Sequence, residues 1–261
     1  MYFETHAHFD DKRFDEDREQ AIEEARRTGV DIIVNCGSSL RSSRASVELA
    51  SRFDFIYSSV GVHPHDAKSL NPENLLVLKK LAASPKVIAI GEIGLDFYYD
   101  HSERDIQKLW FEKQLELAIE LDMPVIIHNR DAHEETFEIL QAACNDAAAC
   151  DKTLRGVIHC FSGSAEMAVR FEKLGFLIAF GGAITFKNSR KSLEAIDALS
   201  ITKILIETDC PYLAPEPFRG KRNTSAYLKF VVDKIAEIKG LSHEEVARQT
   251  YENAKALFGV G

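Results

Sequence analysis

The sequence predicts an α/β protein built as a single-domain (β/α)8 TIM barrel over residues 1–261, and three observations lead there. Eight short apolar runs recur along the chain, and the segments between them mostly have helical periodicity. The runs are continuously apolar, as strands buried on both faces of a helix-covered parallel sheet must be; a half-exposed antiparallel sheet would alternate. With strand ends at 8, 36, 63, 92, 128, 159, 181 and 209, the steps are 22 to 36 residues, each close to one strand plus one helix.

In chain order the runs are Tyr2–Thr5, Asp31–Asn35, Phe55–Val62, Val87–Ile90, Pro124–Ile127, Gly156–Ile158, Phe176–Phe180 and Lys203–Ile206. Asp15–Thr28 and Arg104–Leu121 carry apolar residues at mixed three- and four-residue spacing, the pattern of helices packed on a barrel. In the second, Leu109, Phe111, Leu115, Ala118, Ile119 and Leu121 form the apolar side, and Pro124 helps close the segment. Asp131 and Glu134 have capping-box spacing ahead of the helix after the fifth strand; Ser242 and Glu245 have it before a final helix, Glu244–Leu257.

A length of 261 residues with 45% hydrophobic content suits one barrel domain with a sizeable core. No linker or low-complexity tract divides it, no run is long enough to span a bilayer, and no basic, apolar leader opens it, so a cytoplasmic protein is expected. The five cysteines are odd in number and lack Cys-x-x-Cys spacing, which argues against a disulfide framework or a zinc knuckle. Cys36, Cys160 and Cys210 read as small packing residues, the alternative being a catalytic thiol. The net charge of −9 argues against a general polyanion-binding surface. A phosphate in one pocket remains compatible, because two divalent cations would bring about +4 locally.

Several strand ends carry residue types that bind divalent metals. In an extended backbone His6 and His8 project to the same side, so both imidazoles can reach one ion. Alone, such a pair is as often surface as ligand. Glu92, His128, His159 and Asp209 stand at the ends of other predicted strands, and a parallel barrel gathers all its C-terminal strand ends on one face. A metal centre at that face follows.

These residues lie in motifs that resemble the TatD family of metal-dependent deoxyribonucleases, within the amidohydrolase-like barrels. The matching segments are Glu4-Thr-His-Ala-His-Phe-Asp10, Gly61-Val-His-Pro-His65, Gly91-Glu-Ile-Gly-Leu-Asp-Phe97, His128-Asn-Arg-Asp-Ala132, His159-Cys-Phe-Ser-Gly163, Glu207-Thr-Asp-Cys-Pro-Tyr-Leu-Ala-Pro215 and Arg219-Gly-Lys-Arg-Asn223. The resemblance implies DNA phosphodiesterase activity, with His6, His8 and Asp209 holding one divalent ion, His128 and His159 a second, and Glu92 bridging them. Nitrogen and oxygen donors suit zinc, manganese or magnesium.

The expected reaction is exonucleolytic hydrolysis of single-stranded DNA or strand ends by metal-activated water. Asp209 is the expected ligand and general base, and Glu92 is catalytic beside it. Glu207 is expected behind the ligands, with a buried structural carboxylate as the competing reading. His65 is expected to bind substrate on resemblance. Arg222 and Asn223 are expected to do so from their place in a basic loop after the eighth strand, although a solvated charge run is the usual fate of such loops. Phe97, Tyr98 and Tyr99 offer either a stacking surface for a base or a roof over the core, and Arg130 either pairs with acidic site residues or touches substrate. His101, His133 and His243 read as surface histidines.

The chain departs from the family pattern at Glu4, where Asp is common, and at Thr224-Ser225, where many members have Glu-Pro. Neither a membrane association nor an obligatory protein partner is expected. The alternative activity on the same barrel is hydrolysis of an ester or amide, such as misacylated transfer RNA, or of a small phosphoester. A non-enzymatic scaffold is disfavoured because every candidate ligand is present.

Overall fold

The computed structural model describes residues 1–260. Its strands are β1 Tyr2–Ala7, β2 Val30–Cys36, β3 Ile56–Val60, β4 Val87–Asp96, β5 Val125–Arg130, β6 Gly156–Ile158, β7 Leu177–Phe180 and β8 Ile204–Ile206. The helices are α1 Arg18–Arg27, α2 Leu40–Arg52, α3 Pro72–Ala82, α4 Arg104–Leu121, α5 His133–Ala149, α6 Ala165–Lys173, α7 Arg190–Ala198, α8 Leu228–Lys239 and α9 His243–Phe258. Among the described residues the eight strands form one sheet in sequence order, with parallel pairing and a helix after each strand, which is the (β/α)8 barrel. None of the described helices is long and apolar enough to cross a membrane.

Every predicted apolar run falls on a strand. The largest difference is β4, which continues past Ile90 through Glu92 to Asp96. Glycines hide that continuation by interrupting the apolar run. At Gly94 a side chain has no room: an added Cβ would lie 2.0 Å from the carbonyl oxygen of His128, with which Gly94 is in register.

The chain divides into two compact units. The first comprises Met1–Asn35, Cys160–Lys173 and the residues from Leu177 onward. Phe3, Phe9, Phe14, Ile22, Phe171 and Phe180 are fully buried within it, and Phe3 stacks on Phe258 of α9. α1 starts three residues later than the spacing predicts, at Arg18, and is preceded by a 3-10 turn, Lys12–Phe14, capped by the Asp11 carboxylate. β1 meets the segment after β8 through the Ala7–Cys210 bridge; the amides of Asp209 and His8 donate to His6 O and Cys210 O at 2.9 and 2.8 Å. The Ser242–Glu245 capping box opens α9 as predicted.

The second unit comprises Cys36–His159 and Leu174–Phe176. α4 has the predicted bounds and buries Phe111, Leu115 and Ala118, whereas Leu109 is 44% exposed. Two buried glutamines of α4 grip peptide groups. Gln107 accepts from Asp96 N and donates to the carbonyls of Asp96 and Ser102, and Gln114 accepts from Val62 N and donates to Val62 O. Buried amides that satisfy buried peptide groups fix the segments carrying His63 and Asp96. The helix ends on Asp122 in the left-handed conformation, two residues ahead of Pro124. The predicted capping box before α5 does not form: Asp131 is itself left-handed (φ 53°), and the cap position passes to Ala132, which has no side-chain acceptor.

Candidate metal centre

In the first unit, His6 and His8 project to one side of β1 as the alternation of a strand requires. Their Nε2 atoms are 3.0 Å apart, and Asp209 Oδ1 lies 3.5 Å from His8 Nε2 and 3.9 Å from His6 Nε2. Both histidines are buried, and the Asp209 side chain is 14% exposed. Glu4, two residues before His6, is fully buried. One of its oxygens accepts from His6 N and Thr208 N, and the other from the Thr208 hydroxyl at 2.5 Å. Burial pushes its carboxyl up to about 7, against the opposing pull of the Thr208 hydrogen bonds. Glu4 thereby ties the His-x-His strand to the segment that ends in Asp209.

Glu207 is buried, and its carboxylate accepts from Cys160 N at 2.8 Å, which fixes the backbone there. Asn223 is fully buried. Its amide nitrogen donates to the carbonyls of Thr208 and Tyr212, and its oxygen accepts from Thr224 N, so it braces the loop rather than facing solvent. Arg222 forms a bidentate pair with Asp17 (both contacts 2.6 Å), donates to Arg13 O and lies over the Phe14 ring. The two loop residues expected to hold phosphate are therefore engaged within the protein.

In the second unit Glu92 is the hub. Its Oε1 lies 2.9 Å from His128 Nδ1, 3.5 Å from His63 Nε2 and 3.8 Å from His159 Nε2. The other nitrogen of His128 is 3.2 Å from Asp96 Oδ2, which also receives His65 Nε2 at 2.9 Å. Asp96 Oδ1 accepts from the amides of Tyr98 and Tyr99. Burial opposes charge on Asp96, but hydrogen bonds from His128 and His65 win and hold its carboxyl well below the usual range. Burial likewise opposes charge on His128, yet Asp96 and Glu92 raise its pKa; burial, with His128 alongside, drives His63 well below the ordinary value.

Sequence reasoning missed two members of this network: His63 as a potential ligand with Glu92 and His128, and Asp96. Asp96 lies four residues after Glu92 on one strand and so on the same face, a signal visible once β4 is extended to its full length. Of the remaining histidines, His101 is exposed as expected, whereas His133 and His243 are partly buried. His243 joins Tyr2 and Asp233. Cys210 is buried beside Ser225, and burial pushes its thiol up to about 12, which fits a packing role.

These donors fit divalent ions. His6, His8 and Asp209 offer ligand atoms within 4.8 Å of one another, as do His63, Glu92 and His128. Neutral imidazoles with ionised carboxylates are a donor set for a transition metal or magnesium, and buried carboxylates of this density call for a cation. A (β/α)8 barrel with such imidazole–carboxylate sets at its strand ends is a metal-dependent hydrolase. The chain belongs to the TatD related DNase family, whose model matches residues 3–259. It is 45% identical over 260 residues, covering 100% of both chains, to the uncharacterized metal-dependent hydrolase YabD of Bacillus subtilis. It is 34% identical over 265 residues, 99% of each chain, to the 3'-5' ssDNA/RNA exonuclease TatD of Escherichia fergusonii. The crystal structure of the TatD homologue YjjV from Escherichia coli superposes with a TM-score of 0.92 at 30% identity, covering 100% of this chain and 98% of that one.

Proposed function

We propose that this hydrolase is a divalent-metal-dependent deoxyribonuclease that removes nucleotides from single-stranded DNA or strand ends. The carrying observation is the pairing of histidine and carboxylate at strand ends in each unit, buried His6 and His8 with Asp209 and His128 with buried Glu92. The relative named as a 3'-5' ssDNA/RNA exonuclease supports the choice of nucleic acid and of 3′→5′ polarity. On this reading the whole chain is one hydrolase domain, in keeping with the family match over residues 3–259. Five free cysteines accord with a reducing, cytoplasmic setting.

One ion is assigned to His6, His8 and Asp209 and a second to Glu92, His128 and His159; zinc, manganese and magnesium all suit these donors. When bound, the ions lower the pKa of water and neutralise phosphate oxygens. The chain's own residues do the rest. Asp209, with a partly exposed carboxylate, orients the attacking water and accepts its proton. Asp96 orients His65 and the Nε2 side of His128, leaving Nδ1, beside Glu92, for an ion, so these imidazole planes are fixed before substrate arrives. His65, whose side chain is 31% exposed, is the histidine assigned to contact the substrate phosphate.

The test is hydrolysis of 3′- and 5′-labelled oligonucleotides by metal-stripped enzyme, before and after re-addition of each ion. The expected result is no cleavage after stripping, recovery with metal, and mononucleotide release from the 3′ end. Cleavage indifferent to chelation would remove the metal reading; turnover confined to aminoacyl-RNA, simple esters or small phosphoesters in the same assays would replace the nuclease reading.

A further inference from the structure

The turn after β4 presents a surface that the proposed metal chemistry does not use. Phe97 turns inward and is 8% exposed, but Tyr98 and Tyr99 are 57% and 49% exposed. Two adjacent, half-uncovered aromatic rings on a molecule of net charge −9 are not core residues, and solvent alone gives them no reason to be held in place. They are held in place. Asp96 Oδ1 accepts from both of their amides, and the other oxygen of the same carboxylate meets His128 and His65. The aromatic turn is thus fastened to the ligand network by a single side chain.

Arg130 completes the surface. It lies two residues after His128 on β5, on the same side of the strand, and its backbone is in register with Asp96. Its guanidinium carbon is 3.9 Å from the centre of the Tyr98 ring and 4.7 Å from that of Tyr99. The arginines at 13, 18, 26, 104, 155, 190 and 222 each pair with a carboxylate. Arg130 is not among them; its guanidinium rests on aromatic rings instead. A guanidinium kept on an aromatic face and away from carboxylates retains its forked donors for an incoming anion.

We propose that Tyr98 and Arg130 form a nucleotide subsite, in which the exposed Tyr98 ring stacks on a base and Arg130 takes the adjoining phosphate. The assignment rests on the nucleic-acid reading above and deepens it. An aromatic platform beside a cation is how single-stranded nucleic acid is gripped without regard to base identity, because every base has a stacking face. Tyr99, stacked on His101 at 5.4 Å and 6° and touched by the edge of His65, buttresses the platform from the metal side.

The test is steady-state kinetics on a short oligothymidylate and on its abasic counterpart, which has the same phosphates and no bases. Wild-type enzyme should favour the oligothymidylate by about tenfold in KM, the scale of one base–aromatic stack. Tyr98→Ala should erase that preference, and Tyr98→Phe, which keeps the ring, should retain it. Arg130→Gln should raise KM for both substrates and make the salt dependence shallower by about one counterion. A Tyr98→Ala enzyme that keeps the preference, a wild type indifferent to bases, or an Arg130→Gln enzyme with wild-type KM and salt slope would overturn the subsite alone. A wild type that cleaves neither oligonucleotide with any added metal would overturn the nuclease reading, and the subsite with it.

Discussion

The His6–His8–Asp209 group and the Glu92–His128 group offer the same donor chemistry through opposite constructions. In the first, two candidate donors come from one strand at the shortest spacing that shares a side, and backbone hydrogen bonds between β1 and the end of β8 bring the third to them. In the second, one carboxylate faces histidines from three different elements, and a further carboxylate, Asp96, holds one of these rings, His128, together with His65. Local chain geometry positions the first group, and a side-chain network positions the second. A network of this kind fails as a unit when one member is lost, whereas a backbone-positioned group loses one donor at a time.

The largest effect expected from breaking either group is at Asp209. Asp209→Asn keeps the shape and removes the proposed base, so turnover should fall by about a hundredfold or more. Single-turnover assays on an oligonucleotide read this, and near-wild-type turnover with full metal content would pass the base role elsewhere. Next, Asp96→Asn should weaken the metal affinity of the second group by about ten- to a hundredfold, the usual cost of losing a partner that orients ligating histidines. Calorimetric titration should show the His6–His8–Asp209 group unaffected; equal weakening of both groups would erase the contrast.

Stability changes sharpen the contrast further. Gln107→Ala leaves the buried Asp96 amide without its acceptor and should cost about 2 kcal/mol, read from the urea midpoint. On the first unit's side, the hydrogen bond from Arg13, reinforced by its charge, holds the Asp11 carboxyl down to about 2, below the ordinary 3.8. A carboxyl with a lower pKa in the folded state adds stability above the ordinary value and loses it as pH falls toward the folded value. Asp11→Asn should therefore flatten the acid-side loss of stability between about pH 4 and pH 2; an unchanged acid limb would mean that Arg13 holds Asp11 equally in the unfolded chain. The smallest effect belongs to Arg222. Its pair with Asp17 is at least one-third exposed on each side, so Arg222→Gln should cost under about 1 kcal/mol in thermal unfolding and leave KM unchanged. A raised KM with a shallower salt slope would return Arg222 to the phosphate.

The same contrast governs what could be read in advance. The barrel was legible because buried parallel strands are continuously apolar, and His6 and His8 because a spacing of two has one meaning in a strand. Asp96 was not, since Gly91 and Gly94 end the apolar run although the strand goes on. His63 stood in the sequence only as a member of the Gly61-Val-His-Pro-His65 motif; its approach to Glu92 depends on tertiary packing. Arg222 and Asn223 were placed by nearness in sequence to the eighth strand. Their partners, Asp17 in one case and the carbonyls of Thr208 and Tyr212 in the other, are settled by how the loop folds back. The cap at Asp131 failed for a local reason, a left-handed backbone that spacing cannot reveal.

The two glutamines of α4 carry a consequence for how such a barrel can change over time. Gln107 and Gln114 hold the peptide groups of Asp96 and Val62, not their side chains. A grip on peptide groups is blind to residue identity. The segments bearing the Glu92–His128 group can therefore accept new side chains while their paths stay fixed, so substitutions that retune the chemistry need not first survive a collapse of the scaffold. Selection can alter what the mouth of the barrel recognises and leave the mouth itself in place.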